Sequence, residues 1–101
     1  MLKNGMRPVH PGEILREDFM VAVGMSANVL AKALKVPAPR INDIVRERRG
    51  VTADTALRLA RYFDTTPQFW LNLQATYELR KAEISVGERI ASEVSVKPAA
   101  A

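Results

Sequence analysis

Residues 26–50, SANVLAKALKVPAPRINDIVRERRG, leave the chain few ways to fold. Two short segments with apolar residues at helical spacing lie on either side of a break that contains Pro37 and Pro39. The apolar positions of the first segment are Val29, Leu30, Ala31 and Leu34, and those of the second are Ile41, Ile44 and Val45. This pattern predicts two helices joined by a tight turn, a helix-turn-helix.

Single residues set the predicted limits of this pair, which should span residues 26–48. Ser26 can cap the first helix, because its hydroxyl accepts a hydrogen bond from an otherwise unpaired N–H. Lys35 occupies the turn, where a left-handed backbone is often needed and glycine is the usual residue. We therefore expect a modest strain at Lys35 or a slightly different turn. Ala38 precedes a proline and is biased away from helical angles, so the second helix should begin near Pro39.

The remaining sequence predicts three further helices, and no useful stretch alternates like a strand. The first helix should span about residues 11–23, with Pro11 at its first position and Gly24 as its stop. A fourth and a fifth helix should follow cap-like threonines, at about residues 53–63 and 67–82. The fold expected is all-α, with five helices around one core.

The chain of 101 residues, 48% of them hydrophobic, has the size and composition of one small domain. We expect residues 1–9 to be a flexible N-terminus and residues 10–83 to be the helix-turn-helix domain. The final segment, residues 84–101, mixes charged with small residues and should be a partly disordered tail.

The net charge of +4 is concentrated in the helix-turn-helix stretch. Residues 26–50 contain six basic and two acidic side chains, whereas the rest of the chain is balanced. A basic patch of this kind is expected of a surface that binds phosphates, and a solvated cationic face is the alternative. The candidates for phosphate contact are Ser26, Asn28, Lys32, Lys35, Arg46, Arg48 and Arg49.

The N-terminal part of the second helix of the pair holds the candidates for contact with bases, because a recognition helix reads base edges from there. They are Ala38, Pro39, Arg40, Asn42 and Asp43. Arg40 can pair bidentately with guanine, and Asn42 with adenine. The alternatives for Arg40 are a phosphate contact or an exposed salt bridge. Asp43 can accept from cytosine or pair with a nearby arginine.

Composition argues against several other functions. With no cysteine and one histidine, the chain has no disulfide framework and no conventional zinc site. His10 should lie at the start of the first helix, and no nucleophile–base pair is visible, so we expect neither an enzyme nor a cofactor. No apolar run approaches the roughly 20 residues that span a bilayer, and the N-terminus lacks the core of a signal peptide. We therefore expect a cytoplasmic protein.

Longer motifs resemble a known family. LAKALKV, followed by RINDIV and TALRLARYF, resembles the lambda-repressor-like, Xre/Cro-type helix-turn-helix domains. HPGEILREDFM and FWLNLQ narrow this to a resemblance to the HigA (VapI-like) antitoxins of bacterial toxin–antitoxin modules, over residues 9 to about 82.

The resemblance implies a homodimer that places its third helices in the major groove of a palindromic operator and represses its own operon. It also implies a protein partner, a HigB-type toxin that is an mRNA-cleaving enzyme of RelE-like fold. Two alternatives stay open: a stand-alone Xre-type regulator without a toxin, and an interaction protein whose helix-turn-helix no longer binds DNA.

The apolar residues of the last helix have two interpretations. Trp70, Leu73 and Tyr77 recur at helical spacing, which is typical of residues that pack in a core. Large aromatic residues also concentrate in protein interfaces, so a dimer or toxin interface is the second interpretation for Trp70 and Tyr77. For Leu73 we expect the core.

Overall fold

A computed structural model of the chain describes residues 7–99, and these residues form five helices and no strand. The first helix, α1, has three consecutive parts, Pro11–Ile14, Leu15–Met20 and Val21–Val23. The others are α2 (Ala27–Leu34), α3 (Ala38–Val45), α4 (Ala53–Phe63) and α5 (Pro67–Glu93). The predicted all-α fold of five helices is confirmed.

The first helix changes its hydrogen bonding midway. Between Leu15 and Met20 it widens into a π turn, and just beyond, the Val21 N–H donates to the Arg16 carbonyl, five residues back. Gly24 ends the helix with φ 65° and ψ 36°, a left-handed conformation that glycine adopts without steric cost. The predicted stop at Gly24 is confirmed.

Hydroxyl groups cap the starts of α2, α4 and α5. The hydroxyls of Ser26, Thr52 and Thr66 accept hydrogen bonds from the N–H groups of Val29, Thr55 and Phe69, respectively. Each satisfies a donor that has no partner inside the helix, which explains why the predicted starts of α2, α4 and α5 are correct.

The start of α3 differs from the prediction by one residue. Its first helical residue is Ala38, although the sequence predicted a start near Pro39. Pro37 enters the helix in an extended conformation, and its carbonyl accepts from the Arg40 N–H at 3.0 Å. This first-turn bond outweighs the bias of a residue that precedes proline, and Pro39 lies where its missing N–H would have no partner.

The core lies where the five helices meet. Its fully buried side chains come from every helix and include Leu15, Leu30, Ile41, Ile44, Leu59 and Trp70. Leu57, although apolar, is 59% exposed. It follows Ala56 directly, and successive helical residues point about 100° apart.

Trp70 lies in the core rather than on a surface. Its side chain is 0% exposed, its indole N–H donates to Thr65 Oγ1 at 2.8 Å, and its ring lies 5.0 Å from that of Phe19. Of the two interpretations given for Trp70, the structure supports packing in the core rather than an interface, because none of its side chain is accessible. Leu73 packs against the same core, as predicted. Tyr77 is half-buried, and its role in an interface stays a prediction.

The last helix is longer than the sequence predicted. α5 continues to Glu93, whereas its predicted end lay near Ala82, so much of the predicted tail, residues 84–101, is helical. Mixed charge is also the composition of a solvent-exposed helix, in which opposite charges pair one turn apart. Residues 94–99 have no regular structure, and residues 100–101 lie outside the described residues.

The predicted flexible N-terminus, residues 1–9, lies mostly outside the described residues, which begin at Arg7. Arg7 donates to both carboxylate oxygens of Glu13, at 2.9 and 2.8 Å. This two-point contact holds the start of the described chain against the first turn of α1.

We call residues 79–93 the distal segment of α5. Its last residues, 88–93, are all exposed, and the radius of gyration of 17.1 Å exceeds the roughly 13 Å of a compact domain of this size. Three of its apolar side chains, Leu79, Ile84 and Ile90, are 57%, 60% and 48% exposed. Among the described residues, none of the helices has the length and apolar character that crossing a membrane requires.

Candidate nucleic-acid interface

Helix α3 turns one side to the core and the other to solvent. Ile41 and Ile44 are fully buried, whereas Pro39 and Arg46 are exposed. The structure divides the predicted base-contact residues between two neighbouring depressions. Ala38, Pro39, Asn42 and Asp43 line one, together with Asn28 and Arg46, and Arg40 lines the other, together with Arg49, Gly50 and Asp54.

The turn between α2 and α3 is built on a left-handed lysine. Lys35 has φ 62° and ψ 43°, and its N–H donates to the Lys32 carbonyl at 3.2 Å. The next N–H, that of Val36, returns to the Ala31 carbonyl at 3.0 Å, so two carbonyls at the end of α2 are satisfied. The predicted backbone strain at Lys35 is confirmed, and its side chain stays exposed.

Asn42 fastens the start of α3 to the start of α2. Its Nδ2 donates to Asn28 Oδ1 at 2.8 Å and to the Ala38 carbonyl at 3.0 Å. These bonds occupy the donors of Asn42, and leave its Oδ1 and the Nδ2 of Asn28 available to an external partner. The pair therefore offers one acceptor and one donor group side by side at the mouth of the first depression.

Arg40 is held by an acidic residue from α4. Its NH1 donates to Asp54 Oδ1 at 2.7 Å, and the same oxygen accepts from Arg58 Nε at 2.7 Å. Arg58 also donates to the Leu34 carbonyl at 2.9 Å, at the end of α2. The alternative considered for Arg40, a salt bridge, is thus present in the free protein.

The predicted phosphate-contact residues are exposed and surround α3. They form three groups: Ser26 and Asn28 at the start of α2, Lys32 and Lys35 at its end, and Arg46, Arg48 and Arg49 beyond α3. Asp43 pairs with Arg49 at 3.5 Å, which confirms the alternative of a nearby arginine. The basic side chains therefore flank the recognition helix at both ends, as a helix lying in a groove between two phosphate backbones requires.

The C-terminal end of α3 is fixed by α1. A Cβ at Gly12 would lie 1.8 Å from the Ile44 carbonyl oxygen, so only glycine permits this approach of the two backbones. Arg16 donates to the Val45 carbonyl, one of the groups that the end of a helix leaves unpaired. Arg16 also pairs with Glu17 at 2.9 Å.

The loop after α3 is fixed by α5. Gln74 Oε1 accepts from the Val51 N–H at 2.7 Å, and its Nε2 donates to Glu78 at 2.8 Å. A Cβ at Gly50 would lie within 2.9 Å of three atoms of the Gln74 amide, so a larger residue at that position would displace this amide. One side chain of α5 thus sets where the chain leaves the recognition helix.

His10 secures the start of α1 from the inside. Its ring is buried, its Nδ1 accepts from the Gly12 N–H at 2.8 Å, and its ring centroid lies 4.8 Å from that of Tyr77. Burial lowers the pKa of His10 below its usual value, and the nearby Lys81 and Arg16 act in the same direction, while Glu47 opposes them. The expected position of His10 at the start of α1 is confirmed.

Sequence reasoning missed five residues that organise this surface: Gly12, Arg16, Asp54, Arg58 and Gln74. The first two lie in HPGEILREDFM, which carried the family resemblance, so a signal for them was present. The contact of Asp54 with Arg40 joins residues 14 apart on different helices, and that of Gln74 with Val51 joins residues 23 apart. Neither follows from local periodicity.

The fold and the exposed basic surface around α3 define a helix-turn-helix DNA-binding protein. Residues 15–70 match the family described as Helix-turn-helix.

Comparisons with individual proteins show which helix-turn-helix proteins this chain is similar to. The chain is 60% identical to Virulence-associated protein I of Dichelobacter nodosus over 81 residues, 80% of this chain and 75% of that protein. Among solved structures, Pseudomonas aeruginosa antitoxin HigA with the higBA promoter is 55% identical at a TM-score of 0.87, covering 88% of this chain and 97% of HigA. Antitoxin GraA in complex with its operator is 56% identical at a TM-score of 0.89, covering 98% of this chain and 100% of GraA. The chain belongs to the HigA antitoxin family.

Proposed function

We propose that this protein represses its own operon by binding a palindromic operator as a homodimer, and that it neutralises a HigB-type toxin. Such a toxin is an mRNA-cleaving enzyme of RelE-like fold, as the family resemblance implies. A regulator of this kind acts in the cytoplasm, at the nucleoid when it is bound to DNA.

The observation that carries the proposal is the outer side of α3, together with relatives solved on DNA. Those relatives, HigA with the higBA promoter and GraA with its operator, match this chain over at least 88% of its length. The polar groups of α3 face solvent between two basic groups, an arrangement that suits a helix in the major groove.

Within this surface the residues take different roles. Arg40 reads a guanine with the donors that Asp54 leaves available, and the Asn42–Asn28 pair meets a base edge or a phosphate with its remaining atoms. Ala38 and Pro39 touch a thymine methyl group. Asp43 is occupied by Arg49, so a role in reading cytosine is less favoured.

The remaining basic side chains hold the phosphates. The positive groups at both ends of α3 are Lys32, Lys35, Arg46, Arg48 and Arg49, and Ser26 and Asn28 add polar contacts at the start of α2. Each neutralised phosphate releases condensed counterions, so these residues set affinity and its dependence on salt rather than sequence preference.

The homodimer forms through the distal segment of α5. Leu79, Val86 and Ile90 share one face, because they follow each other at seven and four residues, the spacing of a helix–helix seam. Leu79 and Ile90 are largely uncovered within a single chain. On a palindromic operator the two α3 helices of the dimer must lie about 34–36 Å apart, one turn of DNA.

The operator is tested by binding the full-length protein to its own promoter fragment and to a scrambled fragment of equal length. We expect tighter binding to the promoter and a steep loss of affinity with added salt, because the basic groups displace counterions. Equal affinity for both fragments would refute sequence-specific repression. An affinity that does not change with salt would refute the assignment of the phosphate contacts.

The toxin is tested by co-expressing the chain with the product of the adjacent gene. Co-purification of the two proteins, together with loss of the toxicity of the partner expressed alone, is the expected result. A protein that binds its promoter but captures no neighbouring product would instead be a stand-alone Xre-type regulator.

A further inference from the structure

We infer that Asp54 is a positioning residue, which holds the Arg40 guanidinium in one orientation and thereby sharpens discrimination between the operator and other DNA. The inference rests on the proposed function, because it requires that Arg40 contacts a base. Asp54 accepts hydrogen bonds from two protein side chains and lies on α4, outside the helix-turn-helix pair.

The geometry is that of a bridge between three helices. Asp54 Oδ1 lies 2.7 Å from Arg40 NH1, which belongs to α3. It also lies 2.7 Å from Arg58 Nε, which belongs to α4, as Asp54 does. Arg58 is fixed in turn by the Leu34 carbonyl at 2.9 Å, where α2 ends. Asp54, which holds Arg40, is thus linked through Arg58 to the backbone of α2.

The contact leaves Arg40 able to bind. A guanidinium has five N–H donors in a planar fork, and Asp54 accepts from only one nitrogen, NH1. The other nitrogens remain for the two acceptors of a guanine edge. Because the side chain is already ordered, less of its rotamer freedom is lost when DNA binds.

The charge of Asp54 makes the inference testable. Hydrogen bonds from Arg58, and then from Arg40, lower the pKa of Asp54, so its carboxylate is ionised at neutral pH. An ionised carboxylate on a DNA-binding surface repels phosphates, whatever the base sequence. If Asp54 were only a surface charge, its removal would strengthen binding to every DNA by the same factor. If it positions Arg40, its removal lowers the preference for the operator.

The experiment measures the ratio of affinities for the promoter and scrambled fragments at one salt concentration. The variants are Asp54→Ala, Asp54→Asn, Arg40→Ala and the double variant Arg40→Ala with Asp54→Ala. Asp64→Asn is the matched control, because it removes one carboxylate from the other end of α4, at a left-handed residue that asparagine tolerates. Thermal unfolding verifies that each variant is folded.

We expect Asp54→Ala to lower the ratio about tenfold while binding to the scrambled fragment becomes stronger, whereas Asp64→Asn leaves the ratio unchanged. Asp54→Asn should fall between these two, because it keeps an uncharged acceptor. In the Arg40→Ala background the substitution at Asp54 should no longer change the ratio.

Four results would count against the inference. If Asp54→Ala changes both affinities by the same factor, or lowers the ratio equally when Arg40 is absent, Asp54 does not act through Arg40. If Arg40→Ala itself leaves the ratio unchanged, the base contact of the proposed function fails as well. If Arg40→Ala lowers the ratio of affinities but Asp54→Ala does not, only the positioning role of Asp54 is refuted.

Discussion

The two ends of the recognition helix α3 are held in opposite ways. At its C-terminal end, the contacts are made to the backbone of α3: Gly12 lies against the Ile44 carbonyl, and the Arg16 guanidinium donates to the carbonyl of Val45. At its N-terminal end, side chains form the links to other helices, from Arg40 to Asp54 and from Asn42 to Asn28. The buried end fixes where the helix lies, and the exposed end can vary in sequence without moving it. Substitutions at the two ends should therefore separate stability from DNA recognition.

Gly12→Ala should have the largest effect, at the buried end. The added Cβ would overlap the Ile44 carbonyl oxygen, so we expect a loss of about 3 kcal/mol or more in the free energy of unfolding. Urea denaturation measures it. Gly87→Ala is the control of opposite sign, because its Cβ would meet none of the described residues at less than 3.9 Å and alanine favours the helix. A loss below about 1 kcal/mol for Gly12→Ala would contradict the close approach.

Arg40→Ala tests the exposed end. We expect it to reduce discrimination between operator and scrambled DNA by roughly 1–3 kcal/mol, the worth of a bidentate base contact. The free energy of unfolding should change by no more than about 0.5 kcal/mol, because the side chain is near the surface. Fluorescence anisotropy and urea denaturation on the same preparation measure the two quantities. A large loss of stability with unchanged discrimination would reverse the roles of the two ends.

Arg16→Met should destabilise the protein by about 1–2 kcal/mol, because it leaves the Val45 carbonyl without its charged donor. Methionine keeps the apolar stem and removes the guanidinium. Arg61→Met is the matched control on an exposed position of α4, and should stay within about 0.5 kcal/mol of the parent. Equal effects of the two substitutions would show that the contact with α3 contributes nothing.

Lys35→Gly should stabilise the fold by about 0.5–1 kcal/mol, because glycine adopts the left-handed conformation at this turn without steric cost. It should also weaken binding to all DNA and reduce the slope of log affinity against log salt by about 1. Asp64→Gly, at φ 58°, is the control that should stabilise without reducing that slope. A Lys35→Gly variant with an unchanged slope would remove Lys35 from the phosphate contacts.

His10 should give the smallest effect, a dependence of stability on pH at the buried end. Its pKa is lowered in the folded protein, so the unfolded chain binds the proton more readily. Stability contributed by neutral His10 is therefore complete above the usual histidine pKa, and is lost as the pH falls through the lowered value. His10→Asn keeps an acceptor for the cap and does not titrate. Between neutral and mildly acidic pH, the melting temperature should fall less in this variant than in the parent.

Local chemistry explains which parts of this molecule the sequence could predict. The caps at Ser26, Thr52 and Thr66 act over three residues, so they could be predicted from the sequence. The left-handed turn at Lys35 could be predicted for the same reason. The charge of the surface was readable because charges remain exposed wherever the chain folds.

Some features could not be predicted because they join residues that are far apart in the sequence. The pairing of Arg40 with Asp54 joins residues that only the packed helices bring together. The distal segment of α5 was missed for another reason, since its mixed charge suits both a disordered tail and an exposed helix. Trp70 was ambiguous because apolar spacing on a helix does not tell which neighbour covers it.

The π turn of α1 bears on how chains of this family can change in length. A π turn holds more residues than an α turn, so it spreads Arg16 and Phe19 further apart around the axis. Arg16 can then reach the end of α3 while Phe19 packs against Trp70. Deleting one residue between Leu15 and Met20 would restore a regular α-helix and misalign one of these side chains. We expect relatives that lack this residue to hold α3 with a different side chain.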